Sequence, residues 1–114
     1  MGAPTTRNVT ILNGQSLSDV LDMEGYSAWA IEMPAAWTVA NLTFQAAASF
    51  AGTYNNVHDD AGAEVTVTAA AARAIGLDAA KNELAAYRFL KIRSGTSGVA
   101  VNQAADRVLT IHLK

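Results

Sequence analysis

Apolar and polar residues alternate with a period of two along several short stretches of this chain, and turn residues separate the stretches. Successive side chains of a strand point to opposite faces, so each stretch predicts a half-buried β-strand. From Arg7 to Leu12, Val9 and Ile11 share one face, and Asn13-Gly14 marks the turn that closes it. Ser16 to Asp22 carries Leu17, Val20 and Leu21 in a less regular pattern, a short irregular strand that ends at Gly25. Ser27 to Met33 points Trp29, Ile31 and Met33 inward, and Pro34 stops it. Asn41 to Ala47 sets Leu42, Phe44 and Ala46 against Thr43, Gln45 and Ala47, and a small-residue loop follows from Ala48 to Thr53.

The second half continues the pattern. Tyr54 to His58 and Ala63 to Thr68 predict a hairpin around Asp59-Asp60-Ala61-Gly62, where glycine can take positive φ and aspartate can bond the turn backbone. Ala69 to Ala74 favours helix by its alanine content, but Gly76 and the short length oppose one, so helix and strand both stay open there. Asp78 is placed to cap a short helix running to Ala86, with Leu84 as its large apolar anchor. Tyr87 to Arg93 has Leu90 and Ile92 on one side and Tyr87 and Phe89 on the other, the mark of a strand covered on both faces. Gly95 to Gly98 is a turn, and Arg107 to Leu113 alternates again to the end of the chain. The sum is all-β: one domain over 1–114, an antiparallel jelly-roll-like β-sandwich of about eight short strands with one short helix near 78–86. An open barrel is the alternative arrangement.

Composition narrows the picture. Apolar residues make up 51% of the chain, but alanine supplies much of this, and three Phe, three Tyr and two Trp carry most of the bulk. So light a core favours packing against further subunits, which points to a homo-oligomer. Met33 to Val57 carries no formal charge, yet Pro34, Thr38, Asn41, Thr43, Gln45, Asn55 and Asn56 interrupt it and its period is two. A membrane-spanning helix needs about 20 predominantly apolar residues, so no membrane insertion is expected. The start, MGAPTTRNVTILNG, has no apolar run after a basic opening, and no signal peptide is expected. The net charge is −2 and the eight basic residues are scattered. Alternation separates Arg88 from Lys91 and Arg93, which leaves no basic stripe for nucleic acid.

The chain has no cysteine, which removes disulfides, thiolate zinc sites and thiol catalysis, and it has two histidines. His58 with Asp59, Asp60 and Glu64 has the residue types of a metal site, but Val57 and Ala61 break the spacing of a calcium loop, so a hydrated turn is expected and no metal. His112, two residues from the end, reads as a surface residue. There is no Gly-x-Ser-x-Gly elbow and no phosphate-binding loop, and the two adjacent aspartates do not face each other across a cleft. Neither enzymatic activity nor a cofactor is expected. The candidate contact residues are Trp37, Tyr54, Asn55, Asn56, His58 and Asp59: two aromatics and a run of hydrogen-bonding side chains at a loop-to-strand junction. Trp37 either plugs an end of the sandwich or faces a partner.

Four stretches, NGQSLSDVLDMEGY, IEMPAAWTVANLTFQAA, YNNVHDDAGAEVTV and RFLKIRSGTSGVAVNQAADRVLTIHL, give the chain a resemblance to small proteins encoded among the structural genes of tailed bacteriophages and prophages. The plan is similar to the discoidin or galactose-binding type of jelly roll. The resemblance implies a β-sandwich and a non-enzymatic virion role with many copies per particle, as a capsid decoration, head-fibre or spike component. It makes other virion proteins the expected partners, with assembly in the bacterial host cytoplasm. Attachment to host surface glycans as a carbohydrate-binding module is the alternative role, and a head–tail connector or tail component is a further one.

Overall fold

A computed structural model describes residues 4–26, 29–77 and 83–114. Its strands are β1 (Thr5–Ile11), β2 (Leu21–Asp22), β3 (Trp29–Glu32), β4 (Leu42–Ala47), β5 (Asn55–Asn56), β6 (Ala74–Gly76), β7 (Phe89–Ser94) and β8 (Arg107–Leu113). They form two four-stranded sheets, ordered β1-β8-β3-β6 and β2-β7-β4-β5, in which every pairing is antiparallel. Strand β1 pairs with β8, β2 with β7, β3 with β6 and β4 with β5. That nesting is one long two-stranded ribbon rolled up on itself, the jelly roll. The pairs β3·β8 and β4·β7 then join the turns of the roll into sheets.

The alternation in the sequence supplies the core directly. Val9, Ile11, Ile31, Leu109 and Ile111 from the first sheet face Leu42, Phe44, Leu90 and Ile92 from the second, and all are fully buried. The Trp29 ring meets Phe44 edge-on across the sandwich, centroids 6.0 Å apart. Each such side chain contributes about 1.5–3 kcal/mol when taken from water, so these strands carry most of the stability. Trp37 is also buried, at 8% exposure, and its indole N–H donates to the Ala40 carbonyl at 3.0 Å.

Polar residues hold the loops onto this core. Gln103 is 1% exposed: its amide donates to the Thr38 carbonyl and to Ser94 Oγ, and accepts from the Thr38 N–H and from Arg107 Nε. Every polar atom of that side chain is engaged, which makes a buried amide a clamp and not a cost.

Three stretches differ from the pattern read in the sequence. Ala63 to Thr68 is not a strand. The Val65 N–H donates to the Val57 carbonyl at 3.1 Å, whereas Val67 exchanges two bonds of 2.9 Å with Leu42. Consecutive residues thus serve different partners, and the stretch keeps only the isolated bridges His58↔Glu64 and Leu42↔Val67. The open segment Ala69 to Ala74 begins in a buried Ala69, turns at Ala72 with φ of +55°, and delivers Ala74 into β6 against the edge of β3. Strand pairing there outweighs the helix propensity of alanine. The helix read near 78–86 falls on 78–82, which lie outside the described residues, and on 83–86, which form turns. Strand β7 is central in its sheet, in keeping with its two covered faces, but it starts at Phe89 and leaves Tyr87 outside it.

Candidate functional site

Strand β5 is the edge of its sheet, and beside it lies a groove of about 730 Å³. Strand β4 ends in small residues on both faces, so Ala46, Ala47 and the following Ala48 line the groove and leave space where larger side chains would fill it. Asn55, Asn56 and His58 line the groove from the β5 side. Ser49, Gly52 and Thr53 line it from the loop after β4. That loop is tight: a Cβ on Gly52 would come within 2.7 Å of Ser49 Oγ. Tyr87, 41% exposed, completes the lining.

The six candidates from the sequence divide into two groups. Asn55, Asn56 and His58 line the groove together. The His58 Nδ1 is 3.3 Å from the Asn56 carbonyl oxygen, and Asn56 Oδ1 accepts from Gln45 Nε2 at 3.3 Å. Asp59 is engaged in its own turn, where Oδ1 accepts from the Ala61 and Ala63 N–H groups at 3.0 and 2.9 Å and Gly62 takes φ of +90°. This is the turn chemistry expected of Asp-Asp-Ala-Gly. Among the described residues no group of three or more side chains is arranged to hold a metal ion. Trp37 belongs to the core cluster.

Tyr54 sits outside the groove lining. Its hydroxyl donates to the Phe50 carbonyl at 2.8 Å, and Lys91 Nζ lies 4.5 Å from the ring centroid. Burial, and then the field of Asp22, pushes the Tyr54 phenol above its ordinary pKa, which keeps the donated proton in place. Tyr54 and Lys91 thus form a second small cluster, in which Phe50 also meets Phe89 edge-on at 6.1 Å and Arg88 stacks over Phe89 at 5.0 Å.

Arg88 also grips Asp22 with two bonds, Nε to Oδ1 at 2.9 Å and Nη2 to Oδ2 at 3.2 Å. The Arg88 hydrogen bonds hold the Asp22 carboxyl below the ordinary aspartate pKa against a smaller opposing effect of desolvation. A depressed folded-state pKa means stability that is fully present above the unfolded value, about 3.9, and is lost as pH falls through the lower folded value. Asp22→Asn is therefore expected to flatten the acid limb of a stability–pH curve below about pH 4 and to leave the neutral plateau within about 1 kcal/mol, since the pair is solvent-facing. Urea midpoints measured from pH 2 to 7 check this. An unchanged acid limb would remove the pair from the account.

Beneath the neighbouring loop lies the most buried charge among the described residues. Arg93, 6% exposed, bonds Glu64 Oε2 and Thr43 Oγ1 through Nη1 and Asn56 Oδ1 through Nη2. Glu64 also accepts from the Ser97 N–H. This network ties the 58–67 excursion and the 95–100 turn to the sheet, and through Asn56 it steadies one wall of the groove. Alternation places Arg93 on the outer face of the strand, but nothing local to the sequence shows that a loop will cover it. Tyr87 is the groove residue that sequence reading assigned elsewhere, to a strand face, and no spacing signal ties it to Asn55.

Fold and groove define the chain as an antiparallel jelly roll of eight described strands, with a cleft at a sheet edge whose described lining holds no Asp, Glu, Lys or Arg. Among solved structures, it is similar in fold to the crystal structure of the SPBc2 prophage-derived protein YomS, with a TM-score of 0.53 and 10% sequence identity over 99% of this chain and 96% of that one. No family model matches the sequence, and no curated protein matches it. Among the described residues, no helix is long and apolar enough to cross a membrane.

Proposed function

We propose that this chain is a non-enzymatic structural or interaction protein of a tailed-phage particle, a capsid decoration, head-fibre or spike component that works by binding. The supporting observation is the fold likeness to a prophage-derived protein over nearly the whole of both chains. The partners in this reading are other virion proteins and further copies of the same chain, which bury surface that a domain of this size leaves open. A connector or tail position belongs to the same class of role at another place in the particle. A second reading, attachment to host surface glycans, is favoured by one observation, the groove beside β5, whose described lining holds no Asp, Glu, Lys or Arg.

Particles banded on a density gradient from a lysate of the host that expresses this chain test the proposal. The chain is expected in the particle band, resistant to a high-salt wash, and visible as repeated density in electron micrographs. Recovery wholly in the soluble fraction overturns it.

A further inference from the structure

The make-up of the β5 groove restricts what it can hold. Its volume, about 730 Å³, falls in the range of small-molecule sites, about 300–1,000 Å³. None of the described residues that line it is Asp, Glu, Lys or Arg. Among the described residues, the nearby cations Lys91, Arg93 and Arg88 are engaged elsewhere: Lys91 over Tyr54, Arg93 with Glu64 and Asn56, Arg88 with Asp22. A phosphate, a nucleic acid or an acidic sugar would find no free counter-charge there among the described residues.

What the groove offers instead is paired donors and acceptors beside an aromatic face. Asn55 and Asn56 carry amides, and Ser49 and Thr53 carry hydroxyls. The Asn55 amide and the two hydroxyls each both donate and accept, as a sugar hydroxyl does, whereas Asn56, whose Oδ1 already accepts from Gln45 and Arg93, offers its Nδ2 as a donor. With His58 Nδ1 set against the Asn56 carbonyl, Nε2 is left for a ligand. Tyr87 and the lining alanines supply apolar surface of the kind that the C–H face of a pyranose covers.

We propose that this groove binds an uncharged saccharide, with Tyr87 as the stacking platform and Asn55, Asn56 and His58 as its hydrogen-bonding partners. The proposal rests on the reading of the chain as a binding protein and adds the site and the class of ligand. It also exchanges the aromatic suggested by sequence, Tyr54, for one 33 residues further along.

The test is calorimetric titration of the full chain with neutral tetrasaccharides built from glucose, galactose or N-acetylglucosamine, and with a uronic-acid tetrasaccharide as the charged control. At least one neutral probe is expected to bind more tightly than the control. Tyr87→Ala is expected to weaken that binding by about tenfold or more, Tyr87→Phe to retain it, and Tyr54→Ala to leave it unchanged. Should Tyr87→Ala fail to fold, the exposed variants Asn55→Ala and His58→Ala carry the same expectation. No binding by any neutral probe, tighter binding of the acidic one, or an equal loss in Tyr54→Ala overturns the site. The two proposals fail separately. A chain found in particles but blind to every neutral probe removes the saccharide site alone, and a sugar-binding chain absent from particles removes the virion role alone.

Discussion

Gly95→Ala is expected to lower stability by about 3 kcal/mol or more, read as a fall in the urea midpoint and a drop in Tm of roughly 10 °C. Two causes add. Gly95 has φ of +92°, where a Cβ is strained. That Cβ would also meet the Val99 carbonyl oxygen at 2.5 Å, the Val101 nitrogen at 2.7 Å and the Ala100 Cα at 3.0 Å. All three are backbone atoms of the returning chain after the turn, so no side chain can swing away. The same residue donates its N–H to the Asn41 carbonyl and accepts from Thr43 Oγ1, and relief by backbone movement would break both bonds. Gly98→Ala, in the same turn, is the control: a Cβ there meets nothing within 4 Å and φ is not positive. Equal losses in the two variants would assign the effect to turn flexibility and remove the steric argument.

Glu64→Ala is expected to cost about 3 kcal/mol, because it leaves the Arg93 guanidinium buried without its carboxylate. Surface ion pairs contribute far less, typically under about 1 kcal/mol, and exposure decides between the two cases. The side chains here are 8% and 15% exposed, against 60% and 27% for Arg88 and Asp22. The double variant Arg93→Met with Glu64→Leu is expected to recover much of the loss, since neither charge is then stranded. Chemical denaturation of Arg93→Met, Glu64→Leu and their double variant gives the coupling directly. Near-additive losses would show that the charges act independently. Because Arg93 also bonds Asn56, the Glu64→Ala variant is further expected to loosen the β5 wall, seen as faster amide exchange at Asn55 and Asn56.

The strands with clean alternation were legible because both faces report one environment each. Val9 and Ile11 in β1, Leu42 and Phe44 in β4, and Leu109 and Ile111 in β8 point inward as their spacing requires. The stretch from Glu64 to Val67 alternates equally well yet forms no ladder. Alternation records which side chains are apolar, and it does not record whether neighbouring backbone groups share one partner strand. Strand β6 was hidden for the opposite reason: Ala-Ile-Gly has almost no pattern of its own, and its conformation comes from the open edge of β3. Within the site, Asn55, Asn56 and His58 were found because they are adjacent in sequence. Tyr87 was not, because the rolled ribbon alone brings the end of the 83–86 turn to the β5 edge.

By itself the sequence determined the class of fold, the identity of most core residues, the turn at Asp59 to Gly62 and the lack of thiol chemistry. These follow from local periodicity and from side-chain chemistry, which act over a few residues. The tertiary structure alone decided the order of strands, the burial of Arg93 under a loop and of Trp37 in the core, the engagement of Asp59 in its own turn, and the place of Tyr87 rather than Tyr54 in the groove lining. Each of those depends on contacts between segments tens of residues apart. Such contacts are set by how two sheets close over a shared core, and no stretch of the chain carries that information alone.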